Sequence, residues 1–219
     1  MTVKKCTLTT LGLLVVFVVG GVIYTAKQLY TPTTGKHIDK YANPRKALLI
    51  IDVQEDYTGL KGKRPPLFKN VERQIGTINN LIDHALKSGM EVAYIRQVFD
   101  NNVITRYLVG RTVDGLPGTE IDARVKIVNQ NDFTKKISDA FSNLRLENFL
   151  ITNQVDEIYL VGLDAAYCVY YTALGASNRG YRVTVVRDAV MTRKDMNDVM
   201  KLYNQNDIGL TSSRELIGM

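Results

Sequence analysis

Two hydrophobic patterns alternate along most of the chain. Short, continuous apolar runs have the length of strands buried on both faces of a parallel sheet, and they lie at 46–53, 91–97, 157–162 and 182–186. Apolar residues at helical spacing cover 71–86, and further helices are predicted to close at 149–152 and to cover 167–178 and 194–204. This alternation predicts an α/β fold in three layers, a mostly parallel sheet with helices on both faces.

The amino terminus has a different pattern. Cys6 to Ala26 contains no charged residue, and about 20 apolar residues at 1.5 Å rise span the hydrocarbon core of a bilayer. Residues 1–30 are therefore interpreted as a single-pass membrane anchor, with 7–26 in the lipid bilayer. Lys4 and Lys5 also fit a signal peptide, and cleavage would give a secreted or periplasmic protein. Basic residues on both sides of the segment leave its orientation open.

The remaining sequence predicts one globular domain behind a linker. Residues 31–44 are rich in polar residues and are interpreted as a tether, and residues 45–219 form the folded domain. The net charge of +6 comes from scattered basic residues, which favours a solvated surface over a nucleic-acid site.

Cofactor signatures are missing from the sequence. It contains neither the glycine pattern that binds dinucleotides nor the one that binds nucleoside triphosphates. Its two histidines, His37 and His84, and its two distant cysteines, Cys6 and Cys168, do not form a metal-binding pattern. We therefore expect no cofactor and no metal.

Two residues whose side chains could take part in catalysis follow predicted strands. Asp52 ends the first apolar run, and Cys168 begins a helix after the turn 162–167. Ligand sites of parallel sheets lie beyond the carboxyl ends of the strands, so both residues are expected there. A helix amino terminus favours a thiolate, and its N–H groups could hold an oxyanion. Taken alone, Cys168 also fits a small buried hydrophobic residue, and Asp52 also fits a structural ion pair.

Three separate motifs resemble the isochorismatase-like cysteine hydrolases. They are Leu-Leu-Ile-Ile-Asp-Val-Gln-Glu-Asp-Tyr at 48–57, Lys-Lys-Ile-Ser-Asp-Ala-Phe at 135–141, and Val-Gly-Leu-Asp-Ala-Ala-Tyr-Cys-Val at 161–169. The resemblance implies a catalytic triad: Asp52 takes the thiol proton, Lys135 orients the aspartate, and Cys168 attacks the substrate. The candidate substrate-binding residues are Gln54, Tyr57, Gln97 and Phe141.

The turn before Cys168 is expected to shape an oxyanion site from Asp164, Ala165 and Cys168. Family resemblance implies a cis peptide bond there, between Asp164 and Ala165. The sequence departs from the family at Ala165, where threonine is common, and at Ala166, where aspartate is frequent. Nicotinamidases of the family bind a metal through an Asp-x-His pattern, but residues 96–100 contain no histidine, which disfavours a metal-dependent nicotinamidase.

The resemblance implies hydrolysis of a small amide, ureido or related C–N bond through a covalent cysteine intermediate. One alternative is cleavage of a vinyl ether, as in isochorismatase proper. The other is a membrane-anchored binding or scaffold protein that kept the fold without turnover. Polar residues between Val98 and Glu120 are further candidates for substrate recognition: Asn101, Asn102, Arg106, Tyr107 and Arg111. The expected partner is a small-molecule substrate, and a homo-oligomer stays open.

Overall fold

The computed structural model describes residue 27, residues 29–62 and residues 64–218. Within them, six strands form one sheet in which neighbouring strands are parallel: β1 (Arg45–Ile51), β2 (Glu91–Gln97), β3 (Asp132–Lys135), β4 (Val155–Leu163), β5 (Arg182–Met191) and β6 (Gly209–Thr211). Their order across the sheet is β3-β2-β1-β4-β5-β6. The central strand β1 therefore ends beside both β2 and β4.

Helices cover both faces of this sheet. The α-helices are α1 (Glu72–Lys87), α2 (Leu144–Thr152), α3 (Cys168–Ser177), α4 (Met196–Gln205) and α5 (Ser213–Ile217), with a π-helical turn at Thr105–Val109 and a 3-10 turn at Ala140–Ser142. Side chains of β1 alternate between two apolar clusters because successive strand residues point to opposite faces. Leu49 and Ile51 pack on the side of α2, α3 and α4, whereas Leu48 and Ile50 pack against α1. The three predicted layers are thus present.

The apolar pattern located the central strands and missed the outer ones. The predicted runs coincide with β1, β2, β4 and β5, and the helices predicted from spacing coincide with α1 to α4. β3 and β6 were not predicted, since they are only 4 and 3 residues long and include polar residues. The strand expected to be third is consequently the fourth, β4.

The bilayer-spanning part of the predicted anchor, residues 7–26, lies outside the described residues, whereas Leu29 and Tyr30 at the end of the anchor predicted for 1–30 are described. Among the helices that are described, none combines the length and the apolar character needed to cross a membrane. The membrane segment therefore stays a prediction.

Gly162 lets β4 approach β1 closely next to the ends of both strands. Its φ is +106°, and a Cβ placed there would lie 2.1 Å from the carbonyl oxygen of Ile51. An L side chain is strained at this φ, and the contact is with backbone, which cannot rotate away. Gly162 is therefore required where the two central strands end.

We expect Gly162→Ala to lower the free energy of unfolding by about 2 kcal/mol or more, from backbone strain and overpacking. Gly76→Ala is the matched control, since Gly76 lies within α1 and a Cβ there meets nothing within 4 Å. The control change is expected to be neutral or stabilising. Urea unfolding of the two variants measures the difference, and equal stabilities would contradict the packing argument.

Candidate active site

Asp52 and Cys168 come together because they follow adjacent parallel strands. Ile51 pairs with Gly162 in the sheet, so Asp52 leaves β1 where β4 ends and the turn to α3 begins. Asp52 has a φ of +52°, and its N–H donates to the carbonyl of Ile95 at 2.8 Å. A left-handed aspartate is uncommon, and here it turns a buried carboxylate toward the end of the sheet.

Lys135 reaches the same point from the far side of β2. It ends β3 and pairs with Gln97 at the end of β2. Its ammonium nitrogen lies 2.8 Å from Oδ2 of Asp52, 2.7 Å from Oε1 of Gln97 and 3.2 Å from Sγ of Cys168. The Lys135 and Asp52 side chains are 0% and 2% exposed. One buried cation thus contacts both the carboxylate and the thiol.

These groups change one another's pKa values. Burial raises the pKa of Asp52 above its usual range, and Lys135 only partly offsets this. Burial lowers the pKa of Lys135, but the charges of Asp52 and Cys168 outweigh that effect and raise it overall. Burial raises the pKa of the Cys168 thiol to about 12; Lys135 acts in the opposite direction, and Asp52 raises it further.

The Cys168 thiol is therefore protonated at neutral pH, beside the ammonium of Lys135. The helix amino terminus favours a thiolate, as the sequence indicates, but desolvation of Sγ acts in the opposite direction. A second anion beside Asp52 would leave the buried site with one cation and two negative charges. At neutral pH the thiol consequently needs another group in the site to accept its proton.

One oxygen of Asp52 is available to accept that proton. Oδ1 is buried and has no hydrogen-bond partner among the described residues, whereas Oδ2 is held by Lys135. Buried carboxylate oxygens normally have a partner, so a lone acceptor here is unusual. Asp52 and Cys168 line the same cavity.

The turn before Cys168 differs in detail from the prediction. The cis peptide bond joins Leu163 and Asp164, one residue earlier than expected, at the end of β4. The motif located the turn, but it did not fix which peptide bond in the turn is cis. The N–H of Ala165 donates to the carbonyl of Met191, at the end of β5, at 2.8 Å.

This pairing changes the candidate oxyanion donors. Ala165 is fully buried and its N–H is occupied, so its proposed place in the oxyanion site is wrong. The N–H groups of Asp164 and Cys168 donate to no described residue, and both residues line the cavity. They can therefore supply two backbone donors to an oxygen atom bound beside Sγ.

The cavity beside Cys168 has a volume of about 260 Å³. Aromatic and apolar side chains form most of its wall: Leu29, Tyr30, Tyr57, Leu67, Phe68, Phe99, Leu163 and Tyr167. The polar lining comprises Asp52, Gln97, Ser138, Asp164, Cys168 and Arg193. A small, mainly apolar cavity with a few polar groups at one end fits a small organic molecule.

Two of the four predicted substrate-binding residues line this cavity. The ring of Tyr57 does so while its hydroxyl lies 3.2 Å from Thr112 Oγ1. Gln97 also lines it, but both ends of its amide are used: Oε1 accepts from Lys135, and Nε2 donates to the Lys135 carbonyl at 3.0 Å. Gln97 therefore positions Lys135.

The other two, Gln54 and Phe141, are not in the cavity lining, so their predicted role is wrong. The buried Gln54 amide donates to the carbonyls of Gln97 and Thr119 and accepts from the Gln97 N–H, which leaves nothing for a ligand. Phe141 is 1% exposed and packs in the core under Arg179. Their places in the sequence motifs did not reveal that the side chains of Gln54 and Phe141 pack inside the protein and do not line the cavity.

Several residues that line the cavity were not predicted from the sequence, although the position of one of them could have been. Arg193 follows β5, and the carboxyl ends of parallel strands carry ligand sites, so its position could have been predicted. Its side chain is exposed and makes no ion pair with a described residue. Leu29 and Tyr30 precede the predicted domain, and nothing in their own sequence indicates a cavity.

The polar side chains predicted to recognise substrate lie outside the cavity lining, although Phe99 of the same stretch belongs to it. Of the five candidates, Asn101, Asn102, Arg106, Tyr107 and Arg111, none is in the cavity lining. Arg111 instead donates to the carbonyls of Asp56 and Pro65, which fastens the loop. In the described part of the chain, no group of three acidic, histidine or cysteine residues could hold a metal ion.

Comparison with known proteins agrees with this architecture. Residues 46–209 match the isochorismatase domain. A nicotinamidase of Escherichia coli is 26% identical over 179 residues, covering 66% of this chain and 82% of the relative. An N-carbamoylsarcosine amidase of an Arthrobacter species is 26% identical over 165 residues, covering 70% of this chain and 61% of the relative.

A solved structure shows the same fold. The N-carbamoylsarcosine amidase of Thermoplasma acidophilum has a TM-score of 0.65 and 25% identity, covering 77% of this chain and 96% of the other. The isochorismatase domain spans well over half of the chain, and it includes the strands that carry Asp52, Lys135 and Cys168. The chain therefore belongs to the isochorismatase family and is an isochorismatase-like hydrolase that acts on a small molecule.

Proposed function

We propose that the protein hydrolyses a small amide or ureido C–N bond through a covalent intermediate on Cys168, with Asp52 as base and Lys135 as the cation that serves both. The observation that carries the proposal is the position of the Lys135 ammonium, within hydrogen-bond distance of Oδ2 of Asp52 and Sγ of Cys168. An ammonium there can stabilise a negative charge on either atom.

The first step transfers the thiol proton to Asp52 as sulfur attacks the substrate carbon. The S–H bond breaks, an O–H bond forms on the carboxylate, and the carbonyl electron pair moves onto oxygen. The raised pKa of Asp52 makes it a stronger base than an exposed aspartate. The free N–H groups of Asp164 and Cys168 are the proposed donors to the developing oxyanion.

The second step reverses the role of Asp52. Its new proton passes to the leaving nitrogen as the C–N bond breaks, which leaves a thioester or its carbamoyl equivalent on Cys168. Water then attacks this carbon, Asp52 takes the proton from water, and sulfur leaves and recovers that proton. Each step keeps a single negative charge next to Lys135, so the buried site never holds two uncompensated anions.

Two observations favour an amide over a vinyl ether. The similar proteins include a nicotinamidase and N-carbamoylsarcosine amidases, and both names describe hydrolysis at a C–N bond. The site also unites a buried thiol with a base and two free N–H donors, which is the equipment that acyl transfer needs. A vinyl ether cleavage does not need the thiol.

Release of ammonia or amine from a panel of small amides and ureido compounds tests the proposal. We expect Cys168→Ala to abolish release and Asp52→Asn to reduce it by at least about 100-fold, since loss of a general base costs about that much. Intact mass should show a covalent adduct in the wild type and none in Cys168→Ala. Release of pyruvate from isochorismate with Cys168→Ala still active would favour the vinyl ether reaction, and binding without any product would favour a scaffold.

The pH dependence of Cys168 alkylation should follow its raised pKa. Because the thiol is protonated below about 12, the rate should increase roughly tenfold per pH unit through the alkaline range. Lys135→Met should slow labelling at each pH, since the cation that stabilises the thiolate is gone. Lys136→Met is the control, because Lys136 is 66% exposed and pairs with Asp100. A rate that levels off near neutral pH would contradict this assignment of protons.

Arg193 points to an anionic group on the substrate. It is a cation lining a mostly apolar cavity, and it has no ion-pair partner in the described chain. We expect Arg193→Gln to raise KM about tenfold or more for an amide that carries a carboxylate, the scale of a hydrogen bond to a charged group, and to spare the methyl ester. Lys194→Gln, next to it and outside this cavity, is the control. Equal effects on acid and ester would contradict the prediction.

A further inference from the structure

The chain segment just before the matched family domain lines the cavity that contains Cys168. Leu29 and Tyr30 line the same cavity as Cys168, although the family match begins only at residue 46. The Tyr30 ring packs against Tyr167 and Tyr171, with centroids 5.5 and 5.9 Å away. We call residues 29–38 the strap.

A buried carboxylate holds the strap in place. Asp139 is 0% exposed, and its Oδ2 accepts hydrogen bonds from the N–H and the hydroxyl of Thr33 at 2.7 and 2.6 Å. Its Oδ1 accepts from the N–H of Phe141 at 2.8 Å. A carboxylate this deeply buried is costly unless its oxygens are satisfied, and Thr33 supplies two of these three bonds.

A buried arginine holds the strap from the other side. Arg179 is 3% exposed, donates to the hydroxyl of Thr33 and the carbonyl of Thr34, both at 3.0 Å, and pairs with Glu147 at 3.1 Å. A Cβ added at Gly35 would lie 2.5 Å from the guanidinium, so the strap backbone lies directly on it. Two buried charged side chains thus converge on Thr33–Gly35, which is unlike a tether that only spans a distance.

The attachment and the cavity wall are one residue apart. Ser138 lines the cavity, and its N–H donates to the carbonyl of Leu29 at 3.0 Å. The next residue, Asp139, holds Thr33. The position of Leu29 and Tyr30 at the cavity is therefore set by hydrogen bonds at Leu29 itself and at Thr33, three residues after Tyr30.

We propose that Leu29 and Tyr30 are specificity-determining residues of the catalytic cavity, and that Thr33 is a positioning residue that keeps them there through Asp139 and Arg179. The proposal rests on the proposed role of Cys168 as the reacting group. A substrate bound at Cys168 contacts the Tyr30 face of the cavity with its apolar part. Bulk and flatness on that side of the substrate are then selected by a segment outside the family domain.

Access of reagents to Cys168 tests whether Leu29 and Tyr30 form a wall of its cavity, and it does so without assuming a substrate. In the full-length protein, alkylation by iodoacetamide and by N-benzylmaleimide is followed at one pH on the peptide that contains Cys168, so that Cys6 does not contribute. The ratio of the two rates cancels the thiolate fraction. If the bulky reagent enters only when the strap is displaced, its rate follows the displaced fraction.

We expect Thr33→Val to raise the benzylmaleimide to iodoacetamide ratio about tenfold, the scale of losing a hydrogen bond to a charged group. Tyr30→Ala should raise it by opening the wall directly, and it keeps the proposal testable if Thr33→Val fails to fold. Thr34→Val is the matched control, since the Thr34 side chain is exposed and its hydroxyl bonds to no described residue. Ratios in Tyr30→Ala and Thr33→Val equal to that of the control would overturn the proposal.

Measurements of turnover distinguish an error in the proposal for Leu29 and Tyr30 from an error in the proposed reaction. Tyr30→Ala should change the ratio of kcat/KM between a small aliphatic amide and an aromatic one, mainly through KM, while Thr34→Val keeps the wild-type ratio. Altered access with no amide hydrolysis supports the wall and counts against the amide reaction. Amide hydrolysis that depends on Cys168, with access and preference unchanged in Tyr30→Ala, overturns the wall alone.

Discussion

The ammonium group of Lys135 carries a positive charge in a buried place, and the surrounding structure compensates for it. A buried charge is tolerated only with an opposite charge and full hydrogen bonding, which Asp52 and Gln97 provide. These groups come from three neighbouring strands, β3, β2 and β1, and Cys168 follows the fourth, β4. Changing the order or the register of these strands would separate the cation from one of its partners.

The central fold, and the position of Asp52 and Cys168 at the carboxyl ends of two strands, could be predicted from sequence. Strands buried on both faces have an unmistakable apolar pattern, and Asp52 and Cys168 follow two of them. Lys135 needed the family resemblance, because its strand is short and at the sheet edge and gives no pattern of its own. Which side chains face the cavity could not be predicted, since Gln54 and Gln97 look alike in sequence and only the structure shows that Gln54 satisfies buried backbone.

The proton on Cys168 was also beyond sequence reasoning. A helix amino terminus and a nearby lysine both favour a thiolate, and each could be inferred from the chain. Desolvation and the nearby Asp52 side chain act the other way, and the sizes of these effects depend on burial that only the fold defines. The outcome is a raised pKa for the thiol, which agrees with the proposed transfer of its proton to Asp52.

The departures at Ala165 and Ala166 were the main reason to consider a scaffold without turnover. Ala165 is fully buried, its N–H donates to Met191, and its carbonyl accepts the Tyr203 hydroxyl at 2.6 Å. The Ala166 N–H donates to the Asp164 side chain at 2.8 Å. Neither alanine lines the cavity, so both serve the turn through their backbone. The absence of a threonine hydroxyl at 165 and of an aspartate carboxylate at 166 therefore removes no group from the surroundings of Sγ. These sequence departures do not weaken the case for catalysis.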